Sequence, residues 1–144
     1  MDNATRNVRA MTAADYGEVA ALWLRSDGVR LSESDTKQDV GVFLERNPGL
    51  SAVAESAGGE IIGAVLCGHD GRRGYLHHLA VATAYRRRGI GRLLVEHCFA
   101  GLARARILKC NIFVLRESPE SISFWTHNGW NTPPWQVMQK AIDA

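Results

Sequence analysis

The stretch Tyr75–Phe99, YLHHLAVATAYRRRGIGRLLVEHCF, decides how the rest of the chain is read. Leu76, Leu79 and Val81 give an apolar strand. Arg86, Arg87, Arg88, Gly89 and Gly91 follow, and an amphipathic helix opens after them, with Ile90 and Arg92 in its first turn. The first N–H groups of a helix have no intrahelical acceptor. Glycine lets an anion approach the backbone closely, the helix dipole favours negative charge, and guanidinium groups neutralise the remainder. The stretch is therefore a candidate phosphate cradle, in which side-chain bulk at Gly89 or Gly91 would be harmful. It lacks the lysine and hydroxyl that end a nucleotide P-loop and the third glycine of the dinucleotide fingerprint, so another phosphate-bearing ligand is expected.

Upstream of this stretch the period is that of strands. Leu50–Ser56, Ile61–His69 and Tyr75–Val81 are short β-type runs separated by Gly58-Gly59 and Asp70-Gly71, which are hairpin signals, so an antiparallel meander is expected. Before it come a strand at Val8–Met11 and a helix started by Thr12-Ala-Ala-Asp15, with Tyr16, Val19, Ala20, Leu22 and Trp23 on its core face. A second helix, about 35–46, carries Val40, Phe43 and Leu44 inward and stops at Asn47-Pro48-Gly49.

Downstream, the helix of about 89–105 is expected to bury Ile90, Leu93, Leu94, Cys98, Phe99 and Leu102. Ile107–Leu115 is nearly continuous in apolar residues, as in a strand covered on both faces. Ser118 and Pro119 start a short helix ending at Asn128-Gly129, and a last strand is expected around Gln136–Ala141. The order β-α-α-β-β-β-α-β-α-β predicts an α+β fold, an α/β/α sandwich around a mixed, mostly antiparallel sheet. With 144 residues and 46% hydrophobic content, residues 1–144 are expected to form a single domain.

The formal charge is only +2, but it is unevenly placed. Residues 15–60 hold nine acids against four bases, and residues 72–116 hold ten bases against Glu96 alone. The basic part suits an anion and the acidic part a cation. Three consecutive arginines are also the composition of an ordinary solvated face, and the strand before them and helix after them single these out. Cys67, Cys98 and Cys110 lie in apolar runs with no metal-type spacing, which reads as buried thiols of a reducing, cytoplasmic protein without a metal. No export signal and no apolar run of the ~20 residues needed to span a membrane is present.

Leu79-Ala80-Val81, a connector, and Arg86-x-x-Gly89-x-Gly91 entering a helix resemble the acyl-CoA-binding motif of the GNAT superfamily of N-acyltransferases. Ser118–Trp130, SPESISFWTHNGW, is similar to the family's Asn-x-x-Ala-x-x-Phe-Tyr-x-x-x-Gly-Phe segment, with Ser118 at the Asn, Ser121 at the Ala, Trp125 at the Tyr and Trp130 at the final Phe. The resemblance spans essentially the whole chain in element order. It implies the same fold, with acetyl-CoA as the acyl-donor cosubstrate and direct attack by a primary amine in a ternary complex. It also implies a gap between Tyr75–Val81 and Ile107–Leu115 that takes the thioester arm. The backbone of Leu79, Ala80 and Val81 would pair with the pantetheine amides, and the cradle 86–92 would hold the phosphates. Ser118 and Ser121 would reach the arm or the adenosine phosphates, while Phe124 and Trp125 would pack in the core or against the arm.

Acetyl transfer to an amine needs a base more than an acid. An alkylammonium titrates near ~10.4, so its proton must go somewhere at neutral pH, whereas a thiol of pKa about 8.5 leaves readily. Strict alternation puts Tyr75, His77, Leu79 and Val81 on one face of their strand and Leu76, His78 and Ala80 on the other. Either His77 or His78 can serve as base, each being otherwise a hydrogen-bonded strand histidine. Trp125 stands where many relatives carry a tyrosine able to protonate the leaving sulfur, which leaves Tyr75 or water for that step. Trp130 and Trp135 are expected in the core, as is Trp23, which alternatively touches the acceptor.

Two other readings remain open at this level: an acyl-CoA-binding or sensing module without activity, and a nucleic-acid-associated domain using the 72–116 basic run. No nucleic-acid or membrane partner is expected from the first of the three readings. Apolar residues around 130–135 leave a homodimer open.

Overall fold

The computed structural model describes residues 5–143. Five strands form one sheet in the order β1-β2-β3-β4-β5: β1 is Thr5–Ala10, β2 Ala52–Ser56, β3 Ile61–His69, β4 Gly74–Val81 and β5 Cys110–Ile112. The first four are antiparallel neighbours and β5 runs parallel to β4. The expected meander is therefore present as β2, β3 and β4. Its second turn is fixed by Asp70, whose Oδ1 accepts from the N–H groups of Arg72 and Arg73, both at 2.8 Å.

Four helices cover the sheet: α1 Tyr16–Leu24, α2 Lys37–Arg46, α3 Ile90–Arg104 and α4 Pro119–His127. The two-residue period of the strands divides the core. Ala52 and Ala54 join Ile62, Leu76, Ile90, Leu94, Cys98 and Trp125 on the α3 and α4 side. Val53 and Ala64 join Val19, Leu22, Trp23 and Val40 on the α1 and α2 side. Each fully buried large aliphatic side chain contributes about 1.5–3 kcal/mol. Ahead of α1, Asp15 closes a turn: its Oδ2 accepts from the Thr12 N–H at 2.8 Å, and the Arg9 guanidinium from β1 meets the same carboxylate at 2.8 and 2.9 Å.

Four expectations are corrected. On α3, Leu93 and Phe99 are 43% and 44% exposed, and Gly91 and Gly101 take the inward places where the helix approaches its neighbours. The strand predicted at Ile107–Leu115 pairs only over Cys110–Ile112, because it lies at the sheet edge with one neighbour; Leu108 and Phe113 face outward. The strand predicted at Gln136–Ala141 is absent. Residues 131–143 hold neither strand nor helix, since the three-residue β5 offers little edge to pair with. Trp135, expected in the core, is 72% exposed in that segment.

Candidate active site

The site begins where β4 leaves its parallel partner. Pairing with β5 covers Gly74, Tyr75 and Leu76 and goes no further among the described residues. Past Leu76 one edge of β4 is thus open to an added strand-like ligand.

The same strand is irregular on its other edge. Ala80 faces Ala64 and His77 faces Leu66, so β4 spends one residue more than β3 over this span. The extra residue is His78, at φ +58°, in the left-handed region that a non-glycine residue enters at a cost of about 1–3 kcal/mol. This bulge overturns the alternation expected from sequence. His77 contacts Phe43 of α2 and His78 contacts Trp23 of α1, so both histidines stand on the α1 and α2 side. Leu79 and Val81 pack with the α3 side.

Several groups hold His78 in place. Its carbonyl accepts from Trp23 Nε1 at 2.9 Å, and the Trp23 ring meets the imidazole edge-on at 5.1 Å. Its Nε2 lies 3.0 Å from Asp35 Oδ1. Asp35 is held in turn: Oδ2 accepts from Ser32 N–H at 2.8 Å and Ser32 Oγ at 3.3 Å, and its carbonyl accepts from the Tyr16 hydroxyl at 2.7 Å. An ionised carboxylate only accepts, so the proton of a neutral His78 sits on Nε2 and Nδ1 keeps a lone pair. Trp23 itself is 1% exposed, in the core as expected.

His77 and His78 open into a groove of about 760 Å³ between the α1–α2 connector, α2, the ends of β4 and β5, and α4. Leu79, Ser121 and Trp125 also line it. Burial holds the His77 pKa below the ordinary imidazole value, the neighbouring His78 adds to that, and Asp35 opposes it. Tyr75 is not among the lining residues; its ring stacks against His77 and Phe113.

The cradle lies beyond the end of β4. Gly89, at φ +80°, is the residue before α3, and among the described residues no side chain caps that helix, whose leading amides have no intrahelical acceptor. Arg87 is also left-handed at φ +65°, Arg86 Nε donates to the Val81 carbonyl at 3.1 Å, and the Arg88 guanidinium lies over the Tyr85 ring. The two glycines serve different ends. A Cβ on Gly89 would have space but the wrong backbone conformation, whereas a Cβ on Gly91 would lie 3.2 Å from the Phe124 ring. Phe124 therefore docks α4 on the start of α3. Ser118 and Ser121 bond to each other, Oγ to Oγ at 2.8 Å, and a Cβ on Gly28 would lie 2.7 Å from Ser121 Oγ. Arg30 and Glu117 form an ion pair joining the same two regions.

The arrangement juxtaposes an open strand edge, an uncapped helix start and a carboxylate-supported imidazole. Among the described residues, no group of three His, Cys, Asp or Glu side chains is placed to hold a metal ion. Asp35 is a candidate site residue that sequence reasoning missed, as are Asp39, Phe43 and Phe113 of the groove; the signal for Asp35 is membership of the acidic run.

The family model for the acetyltransferase (GNAT) family matches residues 17–130, and the chain belongs to that family. It is an acetyltransferase. Curated relatives include an acetyltransferase of Sodalis glossinidius, 34% identical over 118 residues and 82% of each chain, and one of Yersinia enterocolitica, 30% identical over 135 residues and 94% of each chain. Among solved structures, the PaiA N-acetyltransferase of Thermoplasma acidophilum in complex with coenzyme A superposes with a TM-score of 0.78 at 18% identity, covering 90% of this chain and 92% of that one. An aminoglycoside 6'-N-acetyltransferase of Acinetobacter baumannii gives 0.77 at 15% identity, covering 96% and 99%. Those two likenesses concern the fold. Family membership favours an enzyme over the non-catalytic module.

Proposed function

We propose that the chain transfers the acetyl group of acetyl-CoA to a primary amine by direct attack in a ternary complex, with His78 as general base. The observation that carries this is the His78–Asp35 pair, set at the bulge where the β4 edge opens. The donor's pantetheine arm would lie along Leu79, Ala80 and Val81, with its phosphates at the amides and side chains of 86–92. This use gives Arg86, Arg87 and Arg88, three of the ten bases of the 72–116 run, a role that needs no nucleic acid. Ser121, with Ser118 behind it, and Trp125 would bound the arm on the α4 side, and Phe124 would fix α4 against Gly91.

An amine entering the groove loses its proton to His78 Nδ1, and Asp35 stabilises the imidazolium that results. A backbone N–H of the 79–81 stretch is the candidate oxyanion donor. Holding amine and thioester together provides much of the remaining acceleration, on the order of 7–11 kcal/mol in well-oriented reactions. Tyr75 stands outside the groove lining, which favours water as the proton source for the thiolate. Three free thiols, two of them buried, fit a reducing compartment such as the cytoplasm.

The test is amine-dependent release of CoA by the wild type and His78→Gln, with acetyl-CoA affinity measured on both. General-base catalysis is worth about 10²–10⁴-fold. Turnover should fall by about 100-fold or more with donor affinity unchanged; equal turnover by the two proteins would remove His78 from the chemistry.

A further inference from the structure

The groove carries a feature that proton transfer does not require. Tyr75, His77 and Phe113 lie nearly parallel, with ring centroids 6.5 Å (Tyr75 to His77), 6.2 Å (Tyr75 to Phe113) and 5.6 Å (His77 to Phe113) apart, at interplanar angles of 15°, 9° and 24°. Phe43 meets His77 at 83°, which turns this wall into a corner. Phe43, His77 and Phe113 all line the groove, and Phe113 is 51% exposed. A wall of flat rings with a half-exposed end offers a stacking surface, and such ring pairs gain about 0.5–1.5 kcal/mol beyond their buried area.

Charge narrows the choice of ligand. Asp39 lines the groove one helical turn before Phe43, and Asp35 with His78 lines it beyond Asp39. Two guanidinium groups, Arg30 and Arg46, line the groove as well, Arg30 being paired with Glu117 and Arg46 standing on α2. A polycation would have to accommodate both arginines. A single ammonium can sit at the Asp35–His78 end and leave an uncharged body to the rings. Burial favours the neutral form of His77, so the wall itself does not repel a cation.

We infer that the acceptor is an arylalkylamine, a primary amine on a short alkyl arm from an aromatic ring, with the ring against His77 and Phe113. The inference rests on the acetyl transfer proposed above, and it is tested first without chemistry. Phenethylamine, n-hexylamine and spermidine are titrated calorimetrically into the enzyme saturated with CoA, using wild type, Phe113→Ala and Phe113→Leu. Phenethylamine should bind wild type about 3- to 10-fold more tightly than either other amine. Both variants, the second of which keeps apolar bulk without a ring, should lose most of that preference. Spermidine binding most tightly, equal binding of the three amines, no phenethylamine binding, or a preference that survives both variants overturns the inference. Acetylation assays on the same amines read the underlying proposal separately. Ring-dependent binding of phenethylamine without acetylation by wild type would keep the aromatic wall as a binding surface and overturn the arylalkylamine as the acceptor.

Discussion

At the residue scale the proposed base, His78, lies against a carboxylate 43 positions away in the chain. Asp35→Asn keeps the size of the side chain but removes the charge that stabilises His78 once it accepts a proton, and an amide can present either a donor or an acceptor to Nε2. Amine-dependent kcat/KM should fall about 10-fold or more, with acetyl-CoA affinity unchanged, as read by parallel kinetics and calorimetry. The histidine pair was legible in the sequence as a candidate base because two imidazoles on an apolar strand are unusual. Asp35 was not, since nothing local marks one acid in an acidic run as the one that meets β4. The side each histidine takes was also hidden. Alternation puts His77 and His78 on opposite faces, and only the bulge, a tertiary feature held by Trp23, puts them together.

At the element scale, α4 is fixed to α3 by the contact of Phe124 with Gly91. Gly91→Val should destabilise the fold by about 1–3 kcal/mol through overpacking, measured as a lower denaturation midpoint. Phe124→Ala in the same chain should recover part of that loss, because the two changes share one contact. The strand–loop–helix unit and the β2–β4 meander were readable because turn glycines, Asp70 and period-two patterning all agree. The later elements were not. Apolar residues at 107–115 satisfy a buried-strand pattern wherever they lie, and only the register with β4 shows that pairing is confined to Cys110, Asn111 and Ile112.

At the scale of the whole molecule, acid should weaken the fold in two windows. Burial depresses the His77 pKa, so the unfolded chain takes up that proton first; the stability this contributes is present above about pH 6.5 and lost as pH falls below it. Arg9, followed by the Thr12 backbone, holds the Asp15 carboxyl below the ordinary carboxylate range. Its contribution is present above about pH 3.9 and disappears as pH falls through the lower folded value. Asp15→Asn should cost on the order of 1–2 kcal/mol at pH 7, since it removes the closer of the two carboxylates paired with Arg9 and leaves only Glu55 at 3.3 Å, and should flatten the lower window. Denaturation midpoints from pH 7 to pH 2 check both effects.

The most direct test of the central claim, that an acyl-CoA lies along the open β4 edge with its phosphates at the start of α3, is calorimetric titration of acetyl-CoA into wild type and Gly89→Val. A β-branched residue resists the φ of +80° that Gly89 adopts, so the cradle is altered, while its Cβ would meet nothing closer than Arg92 at 3.8 Å. Micromolar binding by wild type, weakened at least about 10-fold in a variant whose melting shows it folded, is the predicted result. No binding by wild type, or equal binding by the folded variant, would contradict the account.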